Sequence, residues 1–216
     1  MLVRTECGLW AVADGMGGHE AGDVASGKIR DALLKLPEAG GPDRLVEEAI
    51  AALGGVNREL LALAGSNDSE RTIGSTVVGL VISGGRYRCF WAGDSRAYRV
   101  RGREIAQLSR DHSLVQSLVD AGMLEPAQAV DHPNASVITR AVGVAEELKI
   151  EVASGDAQPG DRFLLASDGL TRVVDDQELA AVLASSGPEE AADQLVETVL
   201  ERGAPDNVTL IIVKIA

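Results

Sequence analysis

The sequence predicts an α+β fold in which helices, grouped in pairs, cover largely antiparallel sheet. Three observations predict it. Two long amphipathic patterns follow one another between residues 23 and 61, a hairpin-rich run of period 2 fills residues 75–108, and two further helical patterns precede a terminal apolar strand. That order contains no repeating βαβ units, and neither GxGxxG nor GxxxxGKS/T occurs in the glycine cluster after Asp14, which disfavours a doubly wound nucleotide fold.

Each element has a local reason. Leu9 to Ala13 is an apolar strand that runs into Asp14 and Gly15. Beyond Gly22, the residues Ala25, Ile29, Ala32, Leu33 and Leu36 recur at helical spacing until Pro37 and the glycines at 40 and 41. A second helix begins after Pro42 with Leu45, Val46, Ala49, Ile50 and Leu53 on one face, and its pattern resumes through Leu60 and Leu61 across Gly54-Gly55, where a kink is expected. "STVVGLVIS" and "RYRCFWAGD" read as strands turning near Gly84-Gly85, and "RAYRV" with "REIAQLS" as shorter strands around Arg101-Gly102. Ser113 to Val137 is an irregular excursion with a short helical piece at "LVQSLVDAG". Strands return in "LKIEVAS" and "DRFLLASDG". Asp175 and Glu178 have the spacing of a capping box at the start of "DDQELAAVL". Pro188 opens a last helix, with Ala191, Leu195 and Val199 beside Ala192, Val196 and Leu200, which Gly203 closes before the strand "NVTLIIVKI".

At 216 residues and 45% hydrophobic content the chain can bury one sizeable core, so one domain is expected. The net charge of -13 argues against nucleic acid as the main ligand, because that affinity comes from many Lys and Arg contacts. No apolar run approaches the roughly 18 residues of a membrane helix, and the first residues lack the order of a secretory signal, so no membrane span and a cytoplasmic location are expected. Cys7 and Cys89 do not make a disulfide framework, and Cys89 in "YRCFWAG" reads as a small buried hydrophobe.

Three segments repeat one chemical arrangement. "LWAVADG" ends at Asp14-Gly15, "RFLLASDG" ends at Asp168-Gly169, and the terminal strand starts just after Asp206-Asn207. In each, an apolar strand holds a carboxylate at a sheet edge beside a turn that leaves room for a ligand. Two readings stand open: three unrelated turns capped by Asp, or three aspartates converging on a divalent cation that offsets their repulsion. All-oxygen ligation would favour Mg²⁺ or Mn²⁺ over structural zinc. Asp94 in "FWAGDSRAY" reads as a scaffold carboxylate held by backbone donors or by Arg96, and Asp111 in "SRDHSL" as a peripheral ligand or a turn cap. For His19, phosphate binding, proton relay and simple exposure all remain open.

Taken together, "VADGMGGHEAG", "GSTVV", "WAGDSRAY", "RDHS", "TRAVG", "LLASDGL" and "PDNVTLIIV" resemble the metal-dependent protein phosphatase (PPM) family in its small bacterial form, from Leu9 to the end of the chain. The resemblance implies a four-layer αββα sandwich, with two antiparallel sheets between pairs of helices and a dinuclear metal centre at one end. It places Asp14 as the carboxylate bridging two metals, the Gly15 carbonyl on one of them, Asp168 and Asp206 as completing ligands, and Asp111 at a third, weaker metal. The metals it implies are Mn²⁺ or Mg²⁺, and residues 113–137 match the family's flap beside the site. Met16 stands where eukaryotic members carry a histidine acid, and that role does not pass to His19.

The implied function is hydrolysis of phosphoserine and phosphothreonine esters on proteins by a metal-activated water, between two cations about 3.5–4 Å apart. Neither a CxxxxxR phosphatase loop nor a GxSxG elbow is present. The implied partners are phosphorylated Ser/Thr proteins and a bacterial Ser/Thr kinase, the protein itself acting as a monomer. Family members usually begin with a strand bearing a phosphate-holding Arg and a short acidic motif. Here "MLVRTECGLW" resembles the tail of the connection into the second family strand, with Arg4 and Glu6 too close to that strand for those roles. The expectation is therefore an N-terminally shortened phosphatase domain over residues 1–216, with a catalytically impaired form or a phosphoprotein-binding pseudo-phosphatase as the alternatives.

Overall fold

Strands that are apolar on both faces must be covered on both, and the chain meets that requirement with four layers. The computed structural model describes residues 1–37, 41–66, 72–129 and 132–216. The strands are β1 (Leu2–Arg4), β2 (Leu9–Val12), β3 (Gly15–Met16), β4 (Gly74–Ser75), β5 (Val77–Ser83), β6 (Arg86–Ala92), β7 (Arg96–Arg101), β8 (Glu104–Gln107), β9 (Glu151–Asp156), β10 (Arg162–Ala166) and β11 (Leu210–Lys214). The helices are α1 (His19–Leu34), α2 (Gly41–Ser66), α3 (Leu114–Asp120), α4 (Pro126–Ala129), α5 (Asp168–Thr171), α6 (Asp176–Ser185) and α7 (Pro188–Glu201). Among the described residues, antiparallel pairing gives a five-stranded sheet in the order β1-β2-β5-β6-β9 and a four-stranded sheet in the order β11-β10-β7-β8, with β3 and β4 as a small separate ladder.

Alternation along each strand distributes the core. On β2, Leu9 and Ala11 face α1 and α2, packing with Ile29, Leu33, Leu53 and Leu60. Trp10 and Val12 turn the other way, into the seam between the sheets with Val78, Leu80, Cys89, Phe163 and Leu165. On β10, Leu164 and Ala166 face outward to Leu179, Leu183, Leu195 and Val199 of α6 and α7. The expected sandwich of two antiparallel sheets between helices is therefore the observed one.

Local departures have physical causes. Leu2–Arg4 is a strand, not merely a connection: it pairs antiparallel with β2, and the buried Arg4 donates from Nη1 to the carbonyl of Leu36, just beyond the end of α1, at 2.7 Å. At Gly54-Gly55 the helix is not interrupted. α2 runs unbroken because Leu53, Val56 and Leu60 continue its buried face, and that burial outweighs the helix-propensity cost of about 1 kcal/mol per glycine. In α7 only the row Ala191, Leu195, Val199 is buried, while Val196 and Leu200 remain exposed. α1 starts earlier than its apolar pattern, at His19, and β11 starts later, at Leu210, which leaves residues 206–209 as a loop. Asp175 forms the capping box expected of it, accepting from the Gln177 and Glu178 amides. The stop expected at Gly40 and the roles open for the His19 side chain lie outside what the structure describes.

One buried amide joins the helical layer to the site end of the sandwich. Asn57 of α2 accepts from the Gly143 amide at 2.7 Å and donates to the Ala145 carbonyl at 2.8 Å, next to Val142, which pairs with Ser75. Asn57→Ala should destabilise the fold by about 1–3 kcal/mol by leaving the buried Gly143 amide unpaired. Chemical denaturation at constant slope checks this, and an unchanged midpoint would mean that water replaces Asn57 there.

Candidate active site

The end of β2, the start of α5, the turn between β6 and β7, and the loop before β11 converge, and each brings an aspartate. Asp14 is anchored through its backbone. Its amide donates to Thr76 Oγ1 at 3.2 Å, and its carbonyl accepts from the Thr76 amide at 2.8 Å and from Ser75 Oγ at 2.9 Å. Thr76 Oγ1 also shares a hydrogen bond of 2.7 Å with Ser95 Oγ, beside Asp94. Neutral hydroxyls buried between strands thus fix two acidic positions relative to one another without spending a counter-charge on them.

Close backbone approach does the rest. A β-carbon on Gly15 would stand 2.0 Å from the Gly22 carbonyl oxygen, so only glycine lets the first turn of α1 press against Gly15. Likewise a β-carbon on Gly169 would meet the Asn207 carbonyl oxygen at 2.2 Å. Ser167 completes that second contact: its Oγ accepts from the Thr209 amide at 3.0 Å and its amide donates to the Thr209 carbonyl at 2.9 Å. Asp206 is carried on this loop, with Oδ1 accepting from the Asn207 amide at 2.7 Å.

Asp14 and Asp168 come together, with Asp206 close enough to act on Asp14. Burial pushes the Asp14 carboxyl up to about 7, assisted by the negative charge of Asp168 and then of Asp206. Asp94 is raised to about 6, again by burial first and by Asp168 second. Asp94 is not the partner of Arg96, as its sequence neighbourhood suggested. It lies 3.5 Å from Arg172 Nη2, whereas Arg96 forms a two-pronged pair with Asp111, donating from Nε at 2.9 Å and from Nη2 at 2.7 Å. Gln107 adds a third donor to Asp111 at 3.2 Å. Asp111, Asp94 and Asp168 line one side of a groove of about 940 Å³ that runs beneath residues of the 113–137 excursion. The ends of that excursion are pinned together, since the Leu114 amide donates to the Val137 carbonyl at 2.8 Å.

The donor set suits a hard divalent cation. Oxygen ligands crowd a desolvated place, and Asp168 Oδ1 is buried without a hydrogen-bond partner. Among the described residues, no three His, Cys, Asp or Glu side chains are already closed around a single cation position, so binding would draw the carboxylates further together. The sequence reading missed Arg172. It donates from Nη2 to Asp168 Oδ2 at 2.8 Å, and the signal that could have found it is the spacing of four residues that puts the two side chains on one helical face.

Comparison with known proteins agrees with this geometry. A family model described as Protein phosphatase 2C matches residues 3–201. Serine/threonine protein phosphatase PstP of Mycobacterium tuberculosis is 36% identical over 204 residues, which cover 94% of this chain and 40% of that protein. The chain thus spans well under half the length of that curated relative. Among solved structures, PppA, described as a key regulatory component of T6SS in Pseudomonas aeruginosa, is 45% identical with a TM-score of 0.89, covering 97% of this chain and 86% of that one. The catalytic domain of PstP in complex with two manganese ions is 35% identical with a TM-score of 0.83, covering 94% and 86% respectively. No helix among the described residues is long and apolar enough to cross a membrane.

The raised Asp14 carboxyl sets a pH dependence. Between the ordinary carboxylate value of 3.8 and about 7, the folded chain holds a proton that the unfolded chain has lost, so this group's contribution to stability falls as pH rises through that window. In chelator, Asp14→Asn should therefore gain stability over the unsubstituted protein from pH 4 to pH 7, with the two differing least at the acidic end. Thermal unfolding across that range tests it, and parallel curves would show that Asp14 is not held against its charge.

Proposed function

Because the chain belongs to the protein phosphatase 2C family, the metal-dependent PPM phosphatases, we propose that it hydrolyses phosphoserine and phosphothreonine esters on proteins. Asp14, Asp168 and Asp206, with the Gly15 carbonyl, are the groups that would hold Mn²⁺ or Mg²⁺. The bound cations would lower the pKa of a water and offset the charge of the phosphoryl oxygens. The observation that carries the reading is the pairing of a desolvated Asp14 with a buried, unpartnered Oδ1 of Asp168.

The chain's own part is positioning. Thr76, Ser75 and Ser167 hold the carboxylate-bearing segments through neutral hydrogen bonds, which leaves the charge of Asp14 free for an ion. Asp111 stands apart from that pair. A third cation there would compete with Arg96 for the carboxylate, so this site is expected to fill only at higher cation concentration than the others. Residues 113–137 act as a flap over the groove, where a protein substrate would lie. We place the enzyme in the cytoplasm, as a monomer acting on the substrates of a bacterial Ser/Thr kinase.

Two predictions follow the metal reading. Mn²⁺ or Mg²⁺ should support hydrolysis of p-nitrophenyl phosphate and of a phosphothreonine peptide, and Asp168→Asn should lower turnover by at least about 100-fold, more than is usual for losing an outer-sphere partner. A folded protein that hydrolyses neither substrate, or both equally well in chelator, would sink the reading. Asp111→Ala should leave the tight cation binding seen by calorimetry intact while raising the cation concentration needed for full turnover. Unchanged turnover at every concentration would make Asp111 a structural partner of Arg96 alone.

A further inference from the structure

Arg172 joins three parts of the chain through one guanidinium. It directly follows α5, and its amide donates to the Asp168 carbonyl at 2.9 Å, so the two side chains rise from one turn. Nη2 donates to Asp168 Oδ2 at 2.8 Å and stands 3.5 Å from Asp94 Oδ2. Nη1 reaches the other way and donates to Ser136 Oγ, in the 113–137 excursion, at 2.8 Å. The two carboxylates are largely buried, with side-chain exposures of 15% for Asp168 and 7% for Asp94, while Arg172 itself is 39% exposed along the groove.

The consequence for Asp168 is geometric. One carboxylate oxygen is committed to Arg172, and the other, Oδ1, is buried and bare. The charge-assisted bond to Oδ2 resists rotation of the carboxylate and leaves Oδ1 as the oxygen without a hydrogen-bond partner to offer a cation. A lysine could not reproduce this arrangement. Its single ammonium cannot serve partners bound at separate nitrogens of a planar fork.

We propose that Arg172 is a positioning residue through which Ser136 of the excursion acts on Asp168, so that the seating of the excursion sets the affinity of the carboxylate site for a divalent cation. The proposal rests on the metal reading given above and adds to it a regulatory link. Two effects of Arg172 oppose each other. Its charge repels a cation, whereas its hydrogen bond orients a ligand. The charge is offset by two adjacent carboxylates and screened by solvent on its exposed side, while orientation is short-ranged and unscreened, so orientation decides the sign.

The test is a double-mutant cycle on Mn²⁺ affinity, measured by calorimetry with the full chain. Arg172→Met should weaken tight Mn²⁺ binding by about tenfold, as loss of an outer-sphere partner does, and Arg172→Lys should be nearly as weak. Ser136→Ala, an exposed hydroxyl whose loss should leave the melting temperature in chelator unchanged, should weaken binding by about threefold, less than removal of the direct partner. In the Arg172→Met background Ser136→Ala should change nothing further. An effect of Ser136→Ala that is absent, or equal in both backgrounds, overturns the link, as does tighter binding by Arg172→Met. Should Arg172→Met fail to fold, the same cycle runs on Arg172→Lys. Failure of the unsubstituted chain to bind Mn²⁺ would overturn the metal reading together with the link, whereas binding with independent effects overturns the link alone.

Discussion

Carboxylates held closer together, and drier, than their charges would choose are the constraint around which this molecule is arranged. Left to itself, a group such as Asp14 would turn toward water, since a desolvated charge without a partner is costly. It does not turn because the strand ends that carry it are rigid. The backbone of Asp14 is clamped by Thr76 and Ser75, Ser95 extends the clamp to the next acidic turn, and Ser167 does the same for the loop that bears Asp206. Rigidity at these ends comes from the seam between the sheets, where Trp10, Val12, Phe163 and Leu165 are buried together.

Arginine is used for several purposes in a strongly acidic chain. Arg4 satisfies the Leu36 carbonyl just beyond α1, and Arg101 holds the buried Asp161 with two hydrogen bonds of 2.7 and 2.8 Å far from the carboxylate centre. Arg96 locks Asp111. Arg172 alone among these touches Asp168 while facing the groove. One guanidinium stands beside Asp168, while burial first and the charges of Asp168 and Asp206 next raise the Asp14 carboxyl. A cation suits such a place because the fold brings the carboxylates near one another and neutralises them only in part.

Local chemistry in the chain determined a good deal. The period of its apolar residues assigned helices and strands, because a helix or strand buries one face by a repeat that any local window contains. The Asp175 capping box was legible for the same reason, since all its atoms lie within one turn. Asp14, Asp168 and Asp206 were legible as candidates because each flanks an apolar run beside a turn, although only the resemblance of seven segments tied them into one site.

Tertiary structure decided what depends on residues far apart in sequence. Whether α2 continues past Gly54-Gly55 was settled by the surface that Leu53, Val56 and Leu60 cover. Arg96 stands two residues from Asp94 yet pairs with Asp111, because β7 and the strand after it bring residue 111 to its fork. Arg172 acquires its partners only once Ser136 and Asp94 are placed around it. Periodicity reports which side of an element is buried, but pairing of charges is set by distances across the fold, and those exist only once the two sheets and the excursion have packed.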